Sequence, residues 1–396
     1  MAMDYPPLRS VPGFSWMGIN LGLKDQTLDF GVIASECKCT AAGVFTRNNF
    51  PGAPVTVGRE NIQNGQLQAI VVNSKIANVA TGIDGIEDAK NMCRWTGEAL
   101  GIDPELVLPS STGIIGQRLP VEKIHEGCKI IPEKLGSSPE HIDNFARAIM
   151  TTDTHPKWCS ASIENSTLLG VAKGSGMIEP NMATMLSFFV TDAKISSEQL
   201  QTILRSVVNQ SFNRISIDSD TSTSDTVVIL ANGLAGPVDT EIFEKTLRNS
   251  SIQLAKEIAR DGEGSTKLIE LTVSGAKSQE MALQISKSII NSPLVKTAIH
   301  GADPNWGRFV MAVGKVFEYP VPLSDLSINF GTGSQVLTVN AESLNADTVN
   351  LDAISELLQN QEVFLEVVVG DGKFSETVWG CDLTKDYIEE NAFYTT

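Results

Sequence analysis

The stretch "KGSGMIEPNMATMLSF", residues 173–188, sets a glycine loop, a Glu-Pro-Asn turn and the pair Ala183–Thr184 directly against an apolar run. That run reads as a buried strand. One reading makes Thr184 an ordinary strand residue. The other makes it a nucleophile, which needs a base, because a threonine hydroxyl is weak until its proton is removed. No His, Asp or Lys lies close to Thr184 in sequence. Cutting the Ala183–Thr184 bond would supply one. The freed α-amine sits on the same residue, and its ordinary pKa of about 7.7–8.0 matches general-base work near neutrality. Thr184 could make the cut itself, its hydroxyl attacking the Ala183 carbonyl to give an ester that water hydrolyses. The small side chain of Ala183 limits crowding at that carbonyl. The stretch alone leaves both readings open.

Outward from this segment, β-branched runs bounded by turn residues predict strands at 68–74, 226–233, 267–275, 326–330 and 363–372. Between them, apolar residues recur at helical spacing over 87–100, 196–212, 241–260, 278–290 and 352–360. In 196–212 the helical face is Leu200, Ile203, Leu204, Val207, Val208 and Phe212, and Ser196 with Gln199 forms a capping box at its start. The fold class is α+β, with helices covering sheets. Polar loops rich in Gly, Thr and Asn at 110–116, 151–157, 173–184, 217–226 and 300–308 are where a site would be built.

Composition narrows the partners. The chain has 396 residues, 42% apolar and 19% charged, with 30 Lys plus Arg against 47 Asp plus Glu and a net charge of −17. Such a balance repels nucleic acid and anionic lipid and favours small-molecule substrates. No apolar run approaches the roughly 18 residues of a membrane helix, and "MAMDYPPLRS" lacks the basic start and apolar stretch of a signal peptide, so a cytoplasmic protein is expected. The six cysteines include no Cys-x-x-Cys pair and no zinc spacing. They are expected to be buried, reduced thiols, with no metal. "KGSG" and "FGTGS" (330–334) lack the spacing of a phosphate loop. His125, His141, His155 and His300 are too scattered to suggest a Ser-His-Asp device.

"KGSGMIEPNMATML" closely resembles the self-cleavage motif of the ornithine acetyltransferase family, the glutamate N-acetyltransferases of arginine biosynthesis. The resemblance continues in "STGIIG" (111–116), "RAIMTTDTHPK" (147–157), "DTSTSDT" (220–226), "DGEGSTK" (261–267), "LVKTAIHGADPNWGR" (294–308) and "EENAFYTT" (389–396). It implies a precursor cleaved between Ala183 and Thr184, an α chain of residues 1–183, a β chain that begins with the nucleophile, and an α2β2 heterotetramer. The implied fold is an αββα sandwich of the N-terminal-nucleophile type over 1–275, with a smaller C-terminal α+β domain over 276–396 that closes the substrate pocket. The implied reaction needs no cofactor. It is a ping-pong transfer of the acetyl group of N-acetylornithine to glutamate through acetyl-Thr184.

The resemblance makes Thr112 and Gly113 the oxyanion pair, where a hydroxyl and a close-approaching backbone amide can meet developing negative charge. Lys173, Glu263, Asn391 and Thr396 match family substrate contacts, as does Thr151, with Thr152 a near alternative. An amino-acid substrate carries a carboxylate for a cation such as Lys173 and an amine for an anion such as Glu263.

Where many arginine-pathway members read "NSGNANACTG", this chain has "NSKIANVATG" (73–82). "SIDSDTSTSDT" and "LANGLAG" are closer to the paralogue of clavulanic acid biosynthesis. Alternatives are therefore a paralogue with another acceptor, a bifunctional enzyme that also uses acetyl-CoA, and an N-terminal-nucleophile amidohydrolase.

Overall fold

The structure, a computed structural model, describes residues 7–179, 185–333, 335–345 and 348–393. Ala183, Thr184 and Thr396 lie outside the described residues. The strands in chain order are β1 Phe14–Ile19, β2 Phe30–Phe45, β3 Gln66–Asn73, β4 Val107–Ser111, β5 Lys157–Ile163, β6 Ser166–Lys173, β7 Leu186–Lys194, β8 Ile215–Ser216, β9 Thr226–Pro237, β10 Leu268–Ala276, β11 Ser327–Thr332, β12 Gln335–Asn340, β13 Glu362–Val368 and β14 Phe374–Cys381. The class is α+β, as expected, and each strand and helix read from periodicity is present.

The chain divides into two compact units, residues 1–213 with 220–258, and residues 214–219 with 259–396. The boundary expected near residue 276 falls at the end of β10, inside the second unit.

In the first unit an eight-stranded sheet runs β4-β3-β2-β9-β7-β6-β5, with β1 paired to β2. The β3–β4 and β7–β9 pairs are parallel and the other pairs antiparallel. Strand β3 shows why both faces are covered. Its Ile70 and Val72 join a core with Phe145, Leu169, Phe188 and Val228, while Ala69 and Val71 join another with Val57, Met92 and Ile124. Alternate side chains point to opposite faces, so the unbroken apolar run Ala69–Val72 demands a layer on each side. Trp16, Phe145 and Phe188 brace the first core edge to face, with centroids 5.2 and 6.0 Å apart.

The second unit holds a six-stranded sheet, β12-β11-β13-β10-β14-β8. Ile269, Leu271 and Val273 of β10 pack with Val363, Leu365 and Val367 of β13 against Ala282, Ile285 and Ile289 of the helix Gln279–Ile290. The alternate residues of β10, Glu270, Thr272 and Ser274, are polar, and Ser274 Oγ and Asn329 Nδ2 donate to the Glu366 carboxylate at 2.7 and 2.9 Å.

All six cysteines are free, five buried and Cys37 only half-buried, a departure from the all-buried expectation. Burial pushes the Cys39, Cys93, Cys128 and Cys159 thiols up to about 12, which leaves them unreactive. No helix among the described residues is long and apolar enough to cross a membrane.

Candidate active site

The first part of the site lies where β3 and β4 end side by side. Asn73 laces the two exits together. Its Oδ1 accepts from Ser111 Oγ at 2.5 Å, its Nδ2 donates to Ile76 O at 2.9 Å, and its carbonyl accepts from Thr112 N at 3.1 Å. Ile114 N donates to Lys75 O at 2.9 Å. Gly113 lies between these bonds with φ +127°, and a Cβ there would sit 2.2 Å from the Lys75 carbonyl. Glycine is the residue that permits this approach. Among the described residues neither the Thr112 hydroxyl nor the Gly113 N–H has a hydrogen-bond partner. The hydroxyl of this buried threonine and the neighbouring amide are both unspent on a braced loop, which is what a donor pair for an oxyanion requires.

The second part is a buried charge cluster. Lys173 closes β6, and its Nζ donates to Thr151 Oγ1 at 3.0 Å. Thr151, rather than Thr152, therefore makes this contact. Asp153 organises both residues. Its Oδ2 accepts from Thr151 N at 3.0 Å, and its Oδ1 accepts from Lys157 Nζ at 2.7 Å and Gly174 N at 2.6 Å. The Asp153 and Lys157 side chains are both fully buried. Burial by itself raises the Asp153 carboxyl, but Lys157, Lys173 and the Gly174 amide outweigh it and hold the group well below the usual carboxylate range. Asp153 and Lys157 lie inside the quoted motif 147–157, yet their roles were not legible. Nothing in a linear turn says that an amide beyond the end of β6 will complete the carboxylate's shell.

The segment 220–226 serves as a platform beside this cluster. Glu179 N donates to Asp220 O at 2.8 Å, Thr221 Oγ1 donates to Glu179 O at 2.9 Å, and Thr226 N donates to Met185 O at 3.0 Å. These bonds hold the residues on either side of 180–184, and Leu186 pairs with both Lys173 and Thr226.

In the second unit, Glu263 is nearly buried and its Oε2 accepts from Asn391 Nδ2 at 2.7 Å. The loop 261–264 lies tight on the helix Lys385–Ala392, since a Cβ on Gly264, φ +66°, would meet Tyr387 N at 2.4 Å. Thr384 Oγ1 donates to Gly264 O at 2.6 Å. Burial, followed by the Glu263 and Asp386 carboxylates, raises the Glu390 carboxyl, so this corner is strongly acidic. His300 Nδ1 lies 2.8 Å from Asp382 Oδ2 in the same unit.

The relatives of the chain define its class, an acyltransferase of arginine biosynthesis. The chain belongs to the ArgJ family, whose model matches residues 15–396. It is 50% identical over 97% of each chain to "Arginine biosynthesis bifunctional protein ArgJ 2" of Clostridium acetobutylicum. It is 44% identical over 95% of each chain to "Glutamate N-acetyltransferase Oat2" of Streptomyces clavuligerus. A solved ornithine acetyltransferase from Mycobacterium tuberculosis, complexed with ornithine, is 33% identical and covers 44% of this chain and 94% of that one, with a TM-score of 0.40.

Proposed function

We propose that this enzyme moves the acetyl group of N-acetylornithine to glutamate through acetyl-Thr184, after cleaving itself between Ala183 and Thr184. The observation that carries this reading is the unspent pair formed by the Thr112 hydroxyl and the Gly113 amide on a loop braced by Asn73. Each acyl step builds a tetrahedral oxyanion, and fixed donors stabilise that charge without reorganising.

In the reaction, the freed amine of Thr184 takes the hydroxyl proton as Oγ attacks the acetyl carbonyl. Collapse breaks the amide bond, ornithine leaves with the proton, and acetyl-Thr184 remains. The glutamate amine then attacks that ester and regenerates the hydroxyl. Lys173, held on Thr151, suits a substrate carboxylate. Glu263, with Asn391 and the crowded Glu390 beside it, suits a substrate ammonium. Thr396 is assigned to the same group of substrate contacts, and the cleaved chains to an α2β2 heterotetramer.

The name "bifunctional", carried by several relatives, favours a second reading in which acetyl-CoA also donates to Thr184. Labelled acetyl-CoA supplied with glutamate tests it.

For the main reading, intact mass should show two fragments, 1–183 and 184–396, in place of one 42.6 kDa chain. Incubation with N-acetylornithine and glutamate should release ornithine. Thr184→Ala should give a single uncut chain with activity reduced by more than about 10³-fold, whereas Thr184→Ser should still cleave. An alanine variant with full activity would remove the nucleophile from the scheme.

A further inference from the structure

Lys24 sits in the short loop between β1 and β2, far in sequence from the residues assigned to chemistry. The loop is folded around Asp29, a fully buried carboxylate that accepts from Leu21 N and Leu23 N at 2.7 Å each and from Lys24 N at 2.9 Å. This wrapping aims the Lys24 side chain at the Thr151 turn. Its Nζ donates to Leu28 O at 3.0 Å and, across 126 residues, to Met150 O at 2.6 Å.

Met150 is the residue before Thr151. The turn 150–153 is thus held at one end by Asp153, on Lys157 and Gly174, and at the other by Lys24. Between these two anchors the Thr151 hydroxyl accepts from Lys173 Nζ at 3.0 Å. An ammonium has three donors. Two of those on Lys24 are used, and among the described residues the third has no partner.

We propose that Lys24 is a positioning residue for the carboxylate corner, fixing the Thr151–Lys173 pair through the Met150 carbonyl. The proposal rests on the reading of Thr151 and Lys173 as substrate contacts. The charged groups facing Lys24 are Asp29, Lys173, Asp153 and Lys75. Burial lowers the Lys24 ammonium to about 8, against the pull of Asp29 and with the push of Lys173 and Lys75. Raising the pH through 8 removes its charge and leaves a neutral amine whose two N–H groups still suffice for Leu28 O and Met150 O but without charge assistance, so the hold on the Met150 carbonyl weakens.

L-ornithine, the product, is the probe, because it binds without acyl chemistry. Its binding to the cleaved wild type, Lys24→Met and Lys24→Arg is measured by titration calorimetry at pH 7 and pH 9. Ligand titration is common to all three proteins, so the differences between them report Lys24. The wild type should lose about 3- to 10-fold more affinity between the two pH values than Lys24→Arg, which should keep its pH 7 affinity. Lys24→Met should bind about tenfold or more weakly at pH 7, with the wild type's additional pH dependence gone. A Lys24→Met protein that matches the wild type at both pH values would overturn the proposal. So would a Lys24→Arg protein with the wild type's pH dependence, and that variant decides alone if Lys24→Met does not fold. If the wild type does not bind ornithine, the proposal and the carboxylate corner fall together. If it binds ornithine but transfers no acetyl group, the proposed function fails and the positioning role is judged on binding.

Discussion

Lys75 has φ +81°, and Asn78 and Ala80 follow at +52° and +58°, in the loop that opposes Gly113. Outside glycine, the left-handed region costs about 1–2 kcal/mol for a residue with a Cβ. Lys75 is the position where the resembling motif carries glycine, so the strain belongs to this chain's own departure from it. Lys75→Gly should raise stability by roughly 0.5–1 kcal/mol, less than the full strain because glycine also gains freedom when unfolded. The midpoint of chemical unfolding measures this, and a fall in the midpoint would contradict the strain. The substitution also removes a cation facing Lys24, so the Lys24 ammonium should move back up. At this scale the resemblance singled out Thr112, Gly113 and Lys173 as candidates from contiguous motifs. It did not single out Asp153, because its role depends on which amides and lysines the fold delivers to it.

Among the elements, the helix Ser197–Gln210 behaves as its pattern requires. Leu200, Ile203, Leu204, Val207 and Val208 are buried, and the Ser196 hydroxyl accepts from Gln199 N at 3.3 Å. Gln199 returns the contact through its Oε1, which accepts from Ser196 Oγ at 2.8 Å. Ser196→Ala should cost about 1 kcal/mol in unfolding free energy and leave acetyl transfer unchanged, since the cap lies away from the site. A loss of activity without a loss of stability would show that the helix start does more than cap. Strands such as β3 and β10 were equally readable, since β-branched runs between turn residues have few other uses. The turn 150–153 was not readable. Its four anchors come from Lys24, Lys157, Lys173 and Gly174, and a local window contains only one of them.

For the whole molecule, acid is the informative perturbation. Asp153 is held below its ordinary value in the folded state, so it binds a proton less readily there than in the unfolded chain. Its contribution is present above the unfolded value of about 3.9 and is lost as pH falls below it towards the folded value. Unfolding midpoints in urea should fall between pH 5 and pH 3. Asp153→Asn, already destabilised by about 3–5 kcal/mol because Lys157 is left buried without its carboxylate, should show a shallower dependence over that range. Equal slopes in the two proteins would assign the acid sensitivity to other carboxylates.

The amino-acid sequence on its own determined the α+β class and the strand and helix positions, and through a resemblance it proposed the residues for acyl transfer. Periodicity and turn chemistry are local, and the motifs that carry the resemblance are contiguous. Tertiary structure alone decided that Asn73 would brace the Thr112–Gly113 loop and that Thr151, not Thr152, would meet Lys173. It also decided that Lys24 would reach Met150 from 126 residues away. These are pairings of buried polar groups, and a buried donor takes whichever acceptor the packed backbone brings within reach.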